Sequence, residues 1–196
     1  INEDAFLIKK NLFAVFDGAT SRVPYINKKG KTGGKIAAEL AKKVFSEKKG
    51  SLRHLAIVAN RTLRKAMHAA RISIEKKQGL WATSIAAVEL QEKTIHYLGV
   101  SDSLAMVIFT DGSYRLLTPF FDHDRETLIK WKVLARKRIK NLYEVLRPQM
   151  DKVRGRMNKD YGVLNGEKEV TQFFSIGKIV RKNIATLILF TDGFFI

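Results

Sequence analysis

Cysteine is absent from this chain. Its absence excludes disulfides, thiolate metal sites and phosphoryl chemistry that runs through a cysteine nucleophile. Proline is scarce, at three residues in 196, and no proline-rich linker divides the sequence. No apolar run approaches the ~20 residues needed to cross a bilayer. The sequence opens on Ile1-Asn2-Glu3-Asp4 with no secretory signal, so the cytoplasm is the expected compartment. Acidic residues are also few: 19 Asp and Glu face 36 Lys and Arg, a formal net charge of +17.

Such a balance ordinarily points to nucleic acid, anionic lipid or acidic partners. Here the basic residues are spread along the chain rather than gathered in a tail. No aromatic residues interleave with them as in RNA-binding surfaces. The charge therefore reads as a lysine-rich background on solvated helix faces, and nucleic-acid binding ranks last among the functional readings. At 45% hydrophobic and 28% charged residues, the composition is that of an ordinary globular protein. The length suits one domain over residues 1–196.

The most informative stretch is Leu12 to Phe16, five apolar residues followed by Asp17-Gly18-Ala19-Thr20. It reads as a buried strand delivering a carboxylate at its end. Upstream, Glu3 and Asp4 open another apolar run. Far downstream, Leu187 to Phe190 leads into Thr191-Asp192-Gly193. Two buried strands that each deliver an Asp-Gly, plus an acidic pair, form a pattern suited to hard divalent cations with oxygen ligands.

The remaining elements follow from periodicity. Ala5 to Lys9 is a strand, and Thr20 to Gly33 a loop that lacks the Walker spacing. Gly34 to Phe45 is an amphipathic helix, and Ser51 caps a second helix that Gln78-Gly79 ends. Strands are expected over Trp81–Leu90, Thr94–Val100, Leu104–Thr110 and Tyr114–Leu117. Asp111-Gly112 forms a tight surface turn between the last two. Asp122 to Arg147 reads as one long helix, broken or kinked at Pro148. Ile176–Arg181 reads as a connector, and Ala185–Phe190 as a final strand buried on both faces. Strands and helices come in runs without a regular βαβ beat, which argues for an α+β fold.

Four segments carry a family resemblance: Asn2-Glu3-Asp4-Ala5, Val15-Phe16-Asp17-Gly18, Gly99-Val100-Ser101-Asp102-Ser103 and Phe190-Thr191-Asp192-Gly193. In order and spacing they resemble protein phosphatase 2C, the metal-dependent serine/threonine phosphatases of the PPM type. The resemblance spans essentially the whole chain and is closest to divergent bacterial members.

It implies a four-layer α-β-β-α sandwich of two antiparallel sheets flanked by helices. It also implies hydrolysis of phosphomonoesters on phosphorylated proteins by a hydroxide bridging two Mn²⁺ or Mg²⁺ ions. Asp17 would bridge the ions, with the Gly18 carbonyl on one and Asp192 on the other. Glu3 would act through water, Asp4 would orient the ligands, and Asp102 would help hold a third, weaker ion. The pattern departs from the family at Ala19, where well-known members carry a histidine, and at Ser101 and Leu104. His123 reads as structural. The family's further Asp and phosphate-gripping Arg would lie outside residues 1–196, so the domain is expected to continue at both ends. The alternative reading is a catalytically weak module that binds phosphoproteins.

Overall fold

The computed structural model describes residues 2–195, with the side chains of Phe194 and Phe195 left aside. Among the described residues, eight strands form two antiparallel sheets. The larger uses β1 (Ala5–Lys9), β2 (Leu12–Ala19), β3 (Ala82–Leu90), β4 (Thr94–Val100) and β7 (Ser175–Val180), in that spatial order. The smaller has β5 (Leu104–Phe109) in the middle, between β6 (Tyr114–Leu116) and β8 (Ile184–Phe190).

Helix α1 (Gly33–Glu47) and helix α2 (Leu52–Ala69) cover one face of the larger sheet. Both begin on side-chain caps: Thr32 accepts from the Lys35 amide and Ser51 from the His54 amide. Under them lies a core that includes Phe16, Phe45, Leu55, Ile85 and Leu98. Phe16 meets Phe45 edge-on at 5.5 Å between ring centroids. The other face of the sheet packs on the smaller sheet through Ala86, Val88, Ile95, Ala105 and Val107. Two antiparallel sheets flanked by helices are what the family resemblance implied, within the α+β class that the order of elements suggested.

Several boundaries differ from expectation. The long helix over 122–147 is two helices, α3 (Arg125–Arg136) and α4 (Leu142–Gly155), which pack on one another. Between them the backbone turns left-handed at Arg138 (φ 52°) and Asn141 (φ 57°), which reverses the chain. Pro148 sits inside α4 without ending it.

Helix α2 ends at Ala69 rather than at Gln78-Gly79, and Arg71 just after it has φ 58°. The segment read as a connector is β7, paired along its length with β4. Strand β2 runs through Asp17 and Gly18 to Ala19 instead of stopping at Phe16. Strand β8 is half-buried at best, because β5 pairs with it on one side and it lies at the sheet edge. The Asp111-Gly112 turn is as expected: Gly112 has φ 83°, and the Asp111 carboxylate accepts from the Ser113 amide and hydroxyl.

Candidate active site

Period-two alternation decides where the carboxylates go. Along β2, Ala14 and Phe16 turn toward the helices, while Phe13 and Val15 turn toward the second sheet. Asp17 continues the second series, so its carboxyl emerges between the sheets. Its register partner on β3 is Ser84, whose hydroxyl hydrogen-bonds that of Ser103. Ser103 leads into β5, and Asp102 sits just before it in a turn where Ser101 has φ 68°. Asp192 follows the end of β8. Asp17, Asp102 and Asp192 line one cavity of about 180 Å³, together with Ala19, His123 and Arg154.

The electrostatics of this cavity are those of crowded anions. Burial pushes the Asp17 carboxyl up to about 9, with the neighbouring Asp192 carboxyl the next cause, by charge and by a hydrogen bond. The charges of Asp102 and Asp4 act in the same direction. Burial also raises the Asp102 carboxyl, against the opposing pull of His123 and the Ser84 hydrogen bond.

The two residues of the N-terminal acidic pair go to different places. Asp4 accepts from the Thr191 hydroxyl at 3.2 Å, beside the Asp192 motif. Glu3 is buried and accepts from the hydroxyls of Thr20, at 2.6 Å, and Thr32. Gly18 lies against the backbone of Gly34 at the start of α1.

Three further side chains join the site. The His123 imidazole stands 3.6 Å from the Asp102 carboxylate and 3.6 Å from that of Asp124. It stacks on Tyr161 with 4.2 Å between centroids and 8° between planes. Arg154, in the last turn of α4, donates to the Thr20 carbonyl and, at 3.5 Å, to the Met157 sulfur. It makes no ion pair among the described residues. Burial works against its charge. Sequence reasoning set His123 aside as structural and did not single out Arg154 or Tyr161. Only the acidic flanks of His123 hinted at a role; Arg154 is one of 36 basic residues and carries no local signal.

The donor set consists of hard carboxylate oxygens whose mutual repulsion and burial keep Asp17 protonated at neutral pH. A divalent cation such as Mn²⁺ or Mg²⁺ would relieve that repulsion, so the residues fit one. Among the described residues no three such side chains converge as a finished cage. Asp17 and Asp192 instead share a hydrogen bond, which a cation bound between them would replace.

The sequence matches protein phosphatase 2C over residues 1–195. The chain belongs to the protein phosphatase 2C family. Solved structures agree on the fold. A bacterial serine phosphatase superposes with TM-score 0.64 at 18% identity, covering 98% of this chain and 73% of that one. Serine/threonine phosphatase Stp1 from Staphylococcus aureus gives 0.61 at 18%, covering 98% and 71%. The catalytic domain of the serine/threonine phosphatase PstP, solved in complex with two manganese ions, gives 0.57 at 17%, covering 98% and 72%. No curated protein matches the sequence. Among the described residues of this protein phosphatase 2C chain, no helix is long and apolar enough to cross a membrane.

Proposed function

We propose that this domain, over residues 1–196, is a metal-dependent protein serine/threonine phosphatase. One observation carries the reading: Asp17 and Asp192, from motifs at opposite ends of the sequence, meet carboxyl to carboxyl at the mouth of the inter-sheet cleft. The relative bound to two manganese ions supports the choice of cation. Asp17 would contact both of two Mn²⁺ or Mg²⁺ ions, the Gly18 carbonyl one of them and Asp192 the other. Asp102 would contribute to a third, weaker ion. Glu3, held by Thr20 and Thr32, would act through water, and Asp4 would keep the Thr191–Asp192 segment in place.

Bound cations supply Lewis-acid neutralisation of the phosphoryl oxygens and an ionised water as nucleophile. The chain's own residues do the rest. Arg154 faces the same cavity with donors that no carboxylate engages, and a guanidinium suits phosphoryl oxygens. Its role is to hold the phosphate of a phosphoserine or phosphothreonine against the carboxylate end of the cavity. His123 and Asp124 form the wall beside Asp102.

Two measurements test this reading. Hydrolysis of an aryl phosphate should require Mn²⁺ or Mg²⁺ and stop on chelation. Arg154→Ala should weaken inhibition by inorganic phosphate and raise KM by roughly 10- to 100-fold, with Mn²⁺ affinity by calorimetry unchanged and Arg154→Lys intermediate. An unchanged phosphate affinity in Arg154→Ala would remove that residue from the mechanism.

Ala19 favours one second reading. It stands beside Gly18 at the site and has no proton to give a leaving group. On that reading the chain is a catalytically weak module that binds phosphorylated proteins. Calorimetry showing no Mn²⁺ or Mg²⁺ binding would select it.

A further inference from the structure

A second cavity, of about 910 Å³, opens beside the first. The two share Asp102, His123, Asp124 and Asp192 along their common border. Away from that border the larger cavity turns apolar: Phe121, Leu128, Trp131, Tyr143, Leu146 and Met150 line it. These come from the segment before α3 and from the facing sides of α3 and α4. The apolar lining is open to solvent to an unusual degree: Leu128 is 51% exposed, Trp131 47% and Tyr143 56%. Thr127 is the only buried residue of α3. A contiguous exposed apolar patch of this kind marks a binding surface.

The walls are anchored rather than loose. The Tyr143 hydroxyl accepts from Arg22 at 2.6 Å, and Arg22 pairs with Asp151 at 2.9 Å. Phe121 stacks on Tyr161, which in turn carries His123. Leu146 is buried at the base. The groove therefore exists before any ligand arrives.

We infer that this groove binds a large apolar side chain, aromatic or branched aliphatic, of the substrate peptide close to its phosphorylated residue. The inference rests on the phosphatase reading and adds the substrate class to it. Continuity argues for this occupant. A phosphoester in the small cavity meets Asp102 and Asp192 at its border, and the peptide leaving that point enters the larger cavity. The size also allows it, since small-ligand pockets run from about 300 to 1,000 Å³, which leaves room for one large side chain together with the backbone that flanks it. The charged groups of the groove are gathered at one end: Asp102, Asp122, Asp124 and Asp192 lie at or near the border with the small cavity. Lys132 is the one lysine or arginine among the described residues of the lining, so the part lined by Leu128, Trp131 and Leu146 is left to an apolar side chain. Burying one aromatic side chain separates good from poor substrates by roughly 10- to 100-fold.

The test uses phosphoserine peptides in which one tryptophan is walked through the neighbouring positions of an otherwise small, polar sequence. Phosphoserine amide, too short to leave the small cavity, serves as the reference. At one or two positions tryptophan should raise kcat/KM by about tenfold or more. Trp131→Ala should erase most of that gain and leave phosphoserine amide turnover unchanged, and Leu128→Glu on the same wall should do likewise.

Equal kcat/KM for all peptides would overturn the inference, as would a preference that survives both substitutions. So would sedimentation showing that the wild type dimerises and that Trp131→Ala abolishes it, because the groove would then belong to a second copy. If the wild type turns over none of these substrates, the phosphatase reading itself has failed. Anisotropy with a labelled phosphonate analogue then decides the groove separately: tighter binding of the tryptophan peptide supports it, and equal binding refutes it.

Discussion

Asp17→Asn is expected to lower Mn²⁺-dependent hydrolysis of an aryl phosphate by about a thousandfold or more, and to make the ion-free protein more stable. The first effect follows from losing a ligand whose cations contribute several kcal/mol to the transition state, at about 1.4 kcal/mol per factor of ten. The second follows from the carboxyl's surroundings. Asp17 is pushed up to about 9 in the folded protein, from an ordinary 3.8, by burial and then by Asp192, Asp102 and Asp4. Between about pH 4 and pH 9 the unfolded chain has released this proton and the folded chain still holds it. The unfolded state therefore binds fewer protons, and raising the pH through that window destabilises the fold.

Asparagine keeps the shape and does not titrate. Its advantage over aspartate should be absent below pH 4, grow with pH and level off near 9. At pH 7 it should reach about 2 kcal/mol or more. That corresponds to a rise in Tm of about 4 °C or more for a domain of this size. Added Mn²⁺ should raise the Tm of the wild type and leave the variant unmoved. Asp192→Asn should share the loss of turnover. Turnover retained in both variants would dispose of the two-cation site, and a Tm for Asp17→Asn below the wild type at neutral pH would dispose of the crowded-anion account.

Gly18→Ala is expected to be among the most damaging single-methyl changes in the chain. A Cβ there would stand 2.5 Å from the Gly34 carbonyl oxygen and 2.7 Å from that of Glu3. Both obstacles are backbone, so no side chain can swing aside. The substitution must push α1 away from β2 or bend β2 beside Asp17. Overpacking of this kind costs about 1–3 kcal/mol, and the rigid neighbours put Gly18 at the upper end. A fall in Tm of roughly 6 to 12 °C follows.

The other Asp-Gly turn provides the contrast. Gly112 has φ 83° with open space around it, so Gly112→Ala meets only backbone strain, about 1 kcal/mol. Thermal melts of the two variants side by side check the ranking. Equal losses would mean that α1 does not rest on Gly18 as closely as described.

These two Asp-Gly pairs show how far the sequence could be read. Both are the same dipeptide after a strand-like run. The turn at Asp111-Gly112 was legible because a tight hairpin needs only neighbouring residues. The run from Leu12 to Phe16 and the motif at Asp192 were legible because an apolar run that leads into a carboxylate is local too, although β2 itself continues through Asp17 to Ala19. The glycine at position 18 has another cause, the approach of a helix that begins fifteen residues later, and nothing nearby in the sequence marks it.

The sequence by itself determined that strands β1 to β6 and β8 exist, that apolar runs lead into Asp17 and Asp192, and which four motifs place the chain among the protein phosphatases 2C. Those facts live in periods of two and in short spacings, which each segment carries alone. Only the tertiary structure decided that the basic stretch after Asp122 folds back as two helices and that β8 lies at a sheet edge. It alone also brought His123 and Arg154 to the carboxylates. Each of these depends on which distant residues come to lie opposite, and on whether packing or a left-handed residue wins where local propensity would have continued a helix.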